Sequence, residues 1–196
     1  QFISLCSENK VEEAYALLSD ECKEQLYPTI DNFRQNYFNK TFAGQKKNVS
    51  VENWVSNTYR IRVTDDFLST GMYTTENAVQ DYITIVKAET GENKLNINSF
   101  IEREEINKTA NINNIEITVL DTNIYMNYQE FKIEVTNNTD KQILLDDNLV
   151  EDSSYIEDRN ELKYAAYMHE LAEAQLIVPQ NQTKEVSIKF YTTYSS

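Results

Sequence analysis

The sequence predicts an α+β domain followed by an all-β domain, and three features of the chain support this prediction. Residues 1–40 carry apolar side chains at helical spacing, with Ser19 and Thr29 placed as helix caps. From residue 49 onwards apolar and polar residues alternate, as they do in half-buried strands. The segment 79–105 has the pattern of a long β-hairpin. This order of elements predicts helices that pack on one face of an antiparallel sheet.

The hairpin at 79–105 shows the period of two that a strand imposes on its side chains. Its first strand places Tyr82 on one face and Ile83 on the other. The chain then turns at residues 89–92, where Gly91 can adopt the positive φ that a tight turn often needs. We expect the preceding helices to pack on the sheet that this hairpin forms.

The helical region is predicted to fold in short pieces, because potential caps interrupt its apolar stripes. Asn9, Ser19 and Thr29 are each followed by acidic residues, which favour the first turn of a helix. Pro28 is expected to end the helix that Ser19 begins. Gly44 stands where a glycine commonly follows the last helical turn.

These breaks bear on the two cysteines, Cys6 and Cys22. One straight helix would hold them about 24 Å apart at about 1.5 Å per residue. Because the caps allow the pieces to fold back, a disulfide is geometrically allowed. Two alternatives stay open: a disulfide in an exported protein, or two buried thiols in a cytosolic one.

The second half of the chain is predicted to be a separate all-β domain. Residues 107–114 are polar and lack apolar periodicity, which predicts a linker and gives domains of 1–108 and 109–196. Short strand-like runs with turn signals between them then predict a β-sandwich of about 85 residues. These runs lie at 115–119, 131–135, 143–145, 155–156, 162–164, 176–178 and 186–190.

Charge and hydropathy exclude several classes of partner. The chain of 196 residues carries a net charge of −14, which repels phosphate backbones and anionic membrane surfaces. We therefore expect no nucleic-acid partner. No run approaches the roughly 20 apolar residues of a membrane-spanning helix. The sequence begins at Gln1 without a methionine, so we expect a processed or truncated form that an N-terminal signal or anchor could have preceded.

The sequence offers little catalytic or metal-binding chemistry. It has one histidine, His169, and no Cys-x-x-Cys pair, so no zinc site and no cofactor is predicted. His169 is expected to be a surface or packing residue, because no orienting carboxylate accompanies it. The acidic run at 146–161 could bind Ca²⁺, but it lacks the EF-hand spacing. A solvated acidic loop is the favoured interpretation.

Residues 1–106 resemble the nuclear-transport-factor-2-like fold, a cone-shaped (cystatin-like) α+β module with helices on a curved antiparallel sheet. The variant resembled precedes other domains in exported proteins of Gram-positive bacteria. The residues that carry the resemblance are Cys6, Ala14-Tyr15, Leu17-Leu18-Ser19, Cys22-Lys23, Pro28-Thr29 and Phe33, followed by Asn96-x-Asn98-Ser99-Phe100-Ile101. Because this fold carries enzymes, binding modules and assembly components, the resemblance bears on architecture more than on function.

The resemblance implies a pocket on the concave face of the sheet. Tyr59, Tyr73 and Tyr82 could place hydroxyl groups inside it, and Asp65 and Asp81 are the acids near suitable strands. Enzymes with this fold typically use an acid–base residue there, often Asp or His. The alternative, which we favour, is that these aromatic residues belong to the core or to an interface.

The second domain is similar to immunoglobulin-like domains of bacterial surface lipoproteins, which are generally non-enzymatic. The similarity rests on Phe131-x-Ile133-x-Val135-Thr136-Asn137, on Leu176-x-Val178-Pro179 and on Val186-x-Ile188-x-Phe190. It implies an immunoglobulin-like sandwich exposed at the cell surface.

The two resemblances together predict a non-catalytic, extracellular binding or assembly module of the bacterial cell envelope. Its expected partners are proteins, which would contact the first sheet or the edge strands of the second domain. A relative of the cone fold belongs to bacterial conjugation machines, so assembly for secretion or DNA transfer is one version. The alternative is a small-ligand carrier or an enzyme that uses the cavity of the first domain.

Overall fold

The computed structural model describes residues 1–43, 47–66, 78–146, 154–167, 171 and 173–195. The protein is of the α+β class, and the strands of its sheets pair in antiparallel fashion. It divides into two compact units: unit 1 contains Gln1–Glu102 with the terminal serines, and unit 2 contains Arg103–Tyr194.

The helices of unit 1 are short, as predicted. They are α1 (Phe2–Ser7), α2 (Val11–Ala16), α3 (Asp20–Leu26), α4 (Ile30–Phe33) and α5 (Asn39–Thr41), with a π-helical segment (Arg34–Phe38) joining α4 to α5.

Two of the predicted helix caps are confirmed by the structure. The Ser19 hydroxyl accepts a hydrogen bond from the Cys22 backbone N–H at 3.0 Å, and Thr29 accepts one from Asn32 at 3.2 Å. Such caps satisfy N–H groups that have no partner within the helix and typically contribute about 1 kcal/mol each. Gly44, the predicted stop of the helical region, lies outside the described residues.

The predicted cap at Asn9 is wrong, because Asn9 ends α1 instead of beginning α2. Its φ is 59°, in the left-handed region that asparagine tolerates better than most residues. The Asn9 N–H bonds to the Cys6 carbonyl at 3.1 Å, and the Lys10 N–H to the Leu5 carbonyl at 2.9 Å. This is the Schellman pattern of a helix C-terminus.

The sheet of unit 1 has the strand order β1-β2-β3-β4, and α1 and the end of α2 lie over one of its faces. The strands are β1 (Lys47–Val55), β2 (Thr58–Asp65), β3 (Val79–Lys87) and β4 (Asn93–Asn96). The predicted hairpin is confirmed between β3 and β4, where Ile85 pairs with Leu95. Its turn places Gly91 at φ 83°, with the Gly91 N–H donating to the Ala88 carbonyl at 2.8 Å.

A parallel bridge joins the helices of unit 1 to its sheet. Leu95 of β4 donates a backbone hydrogen bond to Leu17 at 2.9 Å and accepts one from Ser19 at 3.0 Å. The Ser19 hydroxyl also donates to the side-chain oxygen of the fully buried Asn96. The chain between α2 and α3 is therefore fixed along the edge of β4.

The core of unit 1 is rich in aromatic residues. Phe2 of α1 lies 6.3–6.4 Å, between ring centroids, from the rings of Phe33, Tyr37 and Phe42. Phe33 is fully buried and stacks on Tyr37 at 5.7 Å. Contacts of this kind add to the free energy of burying the rings and fix α1 against the helix that contains the π segment.

Unit 2 contains a four-stranded sheet of order β12-β7-β6-β5 and two two-stranded sheets, β8 with β11 and β9 with β10. Its strands are β5 (Phe100–Ile112), which begins in unit 1, β6 (Ile115–Tyr125), β7 (Gln129–Asn137), β8 (Ile143–Leu144), β9 (Tyr155–Glu157), β10 (Lys163–Ala165), β11 (Ile177–Val178) and β12 (Gln182–Phe190); a short helix, α6, spans Glu173–Leu176. Its core contains Leu176, Val186, Ile188 and Phe190.

The predicted linker at 107–114 is wrong, because strand pairing runs through most of this segment. The two compact units divide six residues before the predicted boundary at residue 108. Strand β5 continues to Ile112, and the units divide at Glu102. Asn113 and Asn114 form the two-residue turn to β6 with φ of 53° and 64°. Asparagine favours such turns because its short polar side chain tolerates positive φ. The linker was predicted because the segment is polar and lacks apolar periodicity.

Candidate functional site

Unit 1 contains an open cleft of about 420 Å³ between its helices and one face of its sheet. This apolar cleft has a floor of six side chains, Val51 of β1, Tyr59 and Ile61 of β2, Ile83 and Ile85 of β3, and Leu95 of β4. The opposite wall comes from Phe2 and Ile3 of α1 and from Leu17. The cleft therefore lies where helices and sheet do not close completely on each other.

Strand register explains why these floor residues share one face. Val51 pairs with Ile61, Tyr59 with Ile83, and Ile85 with Leu95. Residues that pair across antiparallel strands point to the same side, and so do alternate residues of one strand. The alternation of apolar residues visible in the sequence is thus what makes the floor apolar.

The lining of the apolar cleft contains no charged side chain among the described residues. Its polar groups are the Tyr59 hydroxyl and the amides of Gln1 and Asn93. General acid–base catalysis needs a titratable group within hydrogen-bonding reach of the substrate. The lining suits binding of an apolar molecule better than it suits catalysis.

Asp81 lies on the same face of the sheet, paired with Ile61, but its carboxylate is occupied by contacts within the fold. It is buried and accepts hydrogen bonds from the Tyr37 hydroxyl at 2.7 Å and from the backbone N–H groups of Asn98 at 3.0 Å and Ser99 at 2.8 Å. The Tyr82 N–H donates a fourth bond at 2.6 Å. Burial raises the pKa of Asp81, and these hydrogen bonds act in the opposite direction.

Two of the three backbone N–H groups that donate to Asp81, those of Asn98 and Ser99, belong to a tight turn between β4 and β5. Asn98 and Ser99 have φ of 57° and 63°, and the Phe100 N–H closes the turn on the Ile97 carbonyl at 3.2 Å. Asp81 therefore stabilises the point at which the chain leaves the sheet of unit 1. Burial raises the pKa of its partner Tyr37 well above its ordinary value.

The remaining described candidates for the pocket are not brought together in the cleft. Tyr59 lines it, whereas Asp65 lies further along β2 and forms an ion pair with Lys47 at 2.6 Å. Tyr82 lies on the opposite face of the sheet, 5.8 Å from the Trp54 ring. Tyr73 lies outside the described residues.

The opposite face of the sheet carries an exposed aromatic and charged cluster that the sequence analysis did not single out. The Trp54 side chain is 45% exposed, and the Arg60 guanidinium lies 4.4 Å from its ring centroid. Arg60 also forms an ion pair with Glu52. Alternation along β1 and β2 could have revealed this cluster, since Glu52, Trp54 and Arg60 all fall on the polar face.

The wall of the cleft was also missed by sequence reasoning. Phe2, Ile3 and Leu17 look like ordinary members of a helical apolar stripe, and only the tertiary fold shows that their side chains border an open space. Sequence periodicity assigns a residue to a face but not to a gap in the packing.

Both cysteines are free thiols in the structure, and both are buried. Burial raises the pKa of Cys6 to about 12, and burial likewise raises that of Cys22 to about 12. Thiols of this kind react slowly, because the thiolate is the reactive form.

The remaining candidates from the sequence are His169 and the acidic run at 146–161. His169 and part of the acidic run at 146–161 fall outside the described residues. Asp158 of that run accepts hydrogen bonds from the backbone of Asn160 at 2.8 Å and Leu162 at 3.0 Å, and these bonds lower its pKa. It thus stabilises the turn between β9 and β10. Within the described ranges, no group of three or more His, Cys, Asp or Glu residues is arranged to hold a metal ion.

No family model matches this sequence, and neither the curated proteins nor the solved structures include a match. None of the described helices is long and apolar enough to cross a membrane.

We expect both thiols to be unreactive in the folded protein. In the folded state their pKa of about 12 exceeds the ordinary value of 9.0, so they stay protonated at about pH 8. Their contribution to stability is complete below about pH 9 and is lost as the pH rises towards 12, because only the unfolded chain ionises there. Labelling with Ellman's reagent should give no fast reaction in buffer and two thiols in urea.

The single variants Cys6→Ser and Cys22→Ser assign each signal in that experiment. Rapid labelling of either thiol in the folded chain would contradict the burial argument. Failure to release thiols in urea without a reductant would show that the cysteines are bridged.

We expect Tyr37→Phe to reduce the free energy of unfolding by about 2 kcal/mol at about pH 7, because a buried carboxylate loses a donor. The Tyr37 hydroxyl favours the charged form of Asp81, so its loss raises the pKa of Asp81 further. The destabilisation should therefore shrink at about pH 4, where Asp81 is more protonated. Urea denaturation at both pH values measures it.

Tyr15→Phe is the matched control for this prediction. Its hydroxyl donates a hydrogen bond to the neutral Tyr27 carbonyl at 2.9 Å. Loss of this hydroxyl should therefore lower the free energy of unfolding by the same amount at both pH values. An equal loss at both pH values for Tyr37→Phe would mean that its hydroxyl does not act through the charge of Asp81.

Proposed function

We propose that this chain is a non-catalytic binding module whose first unit holds an apolar ligand in the cleft. The observation that carries the proposal is a cleft of about 420 Å³, open to solvent, whose floor is aliphatic apart from Tyr59 and whose lining has no charged side chain in the described part of the chain. Ligand sites of soluble proteins are concave, mostly apolar and of about 300–1,000 Å³. The volume and the lining both fall within this class.

The position of Asp81 favours binding over catalysis. A catalytic carboxylate needs a free lone pair directed at the substrate, whereas Asp81 accepts bonds from Tyr37, Tyr82, Asn98 and Ser99. Its raised pKa follows from burial within the fold and does not require a catalytic role. An enzyme in this cleft would have to rely on the Tyr59 hydroxyl and on amide groups.

The proposal extends to architecture and location. Unit 1, with its helices over one face of a four-stranded antiparallel sheet, would be a cone of the nuclear-transport-factor-2-like kind. Unit 2, whose apolar sheet face is covered in part by short strands and α6, would be an immunoglobulin-like sandwich. The sequence resemblances that suggest these folds also suggest a location in the cell envelope of a Gram-positive bacterium.

Protein partners are a second candidate function, and the exposed side of β1 favours it. Within the described residues β1 pairs with β2 alone, and two of its apolar side chains, Val51 and Trp54, are 53% and 45% exposed. An edge strand with exposed apolar side chains is a common surface for strand addition or docking.

We expect the unmodified chain to bind N-phenyl-1-naphthylamine, an uncharged apolar dye whose fluorescence rises in apolar surroundings. Ile85→Glu places a charge on the floor of the cleft and should weaken binding at least tenfold, because the carboxylate must be desolvated when the dye binds. Val86→Glu is the matched control on the other face of β3 and should bind as the unmodified chain does. Fluorescence titration measures both.

Two outcomes would count against the ligand-binding proposal. One is that the unmodified chain does not bind the dye at all. The other is that Ile85→Glu and Val86→Glu weaken binding equally, which would mean that the dye binds elsewhere.

For the partner function, we expect a photoreactive amino acid at position 54 to crosslink to a discrete protein of a Gram-positive envelope fraction. The same amino acid at the exposed helical position 36 should give no such product. Equal product patterns from the two positions, analysed by mass spectrometry, would argue against β1 as the docking surface.

A further inference from the structure

We infer that the apolar cleft takes a single linear hydrocarbon chain, such as the alkyl or acyl chain of an amphiphile. This inference rests on the proposed ligand-binding function and names the shape of the ligand. It is drawn from the path of the cleft across the sheet and from the chemistry of its lining.

The cleft runs diagonally across the sheet. One end lies at Val51 of the edge strand β1, and the other lies at Asn93 of β4. The Val51 end is level with Asp81 of β3, because Val51 pairs with Ile61 and Ile61 pairs with Asp81. The Asn93 end is level with Lys87 of β3, six residues further along the strand. At about 3.3 Å per residue, the cleft extends for about 20 Å along the strands. Both Val51 and Asn93 are exposed, so both ends reach solvent.

The floor of the cleft is elongated. It advances from Val51 and Ile61 through Tyr59 and Ile83 to Ile85 and Leu95, so each step along the strands is accompanied by a step across the sheet. An extended hydrocarbon chain can follow this path and contact the whole floor, whereas a compact molecule covers only part of it.

The lining chemistry agrees with a hydrocarbon chain. Ile61, Ile83, Ile85 and Leu95 present methyl groups along the length of the floor, and none of them can donate or accept a hydrogen bond. On the sheet side, the polar groups are the Tyr59 hydroxyl and the amide of Asn93, which lies at one end of the cleft. A linear amphiphile would bury its chain on the floor and keep its polar head in water at an open end.

The test uses displacement of N-phenyl-1-naphthylamine by straight-chain alcohols and by a compact alcohol with the same number of carbons as one of them. Octanol, decanol and dodecanol keep the head constant and lengthen the chain, so each added methylene should tighten binding about fourfold. Decanol and 1-adamantanol have the same number of carbons and differ in shape. We expect decanol to bind at least tenfold more tightly.

A variant at one end of the cleft tests the diagonal path. Val51→Arg places a long charged side chain at the exposed end of the cleft. It should weaken the binding of dodecanol more than the binding of octanol, because the shortened cleft leaves the last methylenes of dodecanol in water. Ser50→Arg is the matched control on the other face of β1 and should keep the full increase in affinity from octanol to dodecanol.

The outcomes separate this inference from the proposed function. If the dye binds but 1-adamantanol competes as well as decanol, or if affinity does not rise with chain length, the linear-chain inference fails and ligand binding stands. If Val51→Arg and Ser50→Arg behave alike, the diagonal path fails. If the dye does not bind the unmodified chain, the proposed function fails and this inference fails with it.

Discussion

The structure of unit 1 depends on how one buried carboxylate is satisfied. An ionised carboxylate without partners inside a protein costs several kcal/mol, so Asp81 can be tolerated only where donors surround it. Tyr37 supplies one donor from the helical layer, and Asn98 and Ser99 supply two from the turn after β4. The helical layer, β3 and the exit of the chain towards β5 therefore meet at a single group. Moving any one of them leaves a buried charge with fewer bonds.

The π-helical segment at Arg34–Phe38 is what brings Tyr37 to that carboxylate. A π segment widens the helix by one residue and changes which side chains face the core beyond it. Tyr37 and Phe38 are both buried, and Phe42 on the next turn contacts Phe2 of α1. The same widening thus places the Tyr37 hydroxyl on Asp81 and fixes α1 over the sheet. The extra residue of the π segment therefore also affects the wall of the apolar cleft, because Phe2 of α1 belongs to that wall.

Local pattern was sufficient to predict the strands and most caps, because those features depend on neighbours in sequence. Ser19 and Thr29 each satisfy an N–H three residues away, and Ile83 and Ile85 share a face through strand geometry alone. Asn9 and Asn113 were misjudged because a short polar side chain favours caps, linkers and left-handed turns alike. The role of Asp81 was beyond sequence reasoning, since its partners lie 17 and 44 residues away.

The apolar cleft leaves space beside the core of unit 1 that larger side chains could fill. Filling a gap beside a hydrophobic core with larger side chains commonly stabilises a protein, and natural sequences have many such options. Aromatic side chains fill the space around Phe2 and Phe33 on the helical side, yet the floor beneath α1 consists of isoleucine, leucine and valine with one tyrosine. Val51 leaves 53% of its surface exposed at the end of the cleft. Under the proposed function, a ligand on this open floor would supply the burial that the chain itself leaves out beside its buried aromatic core.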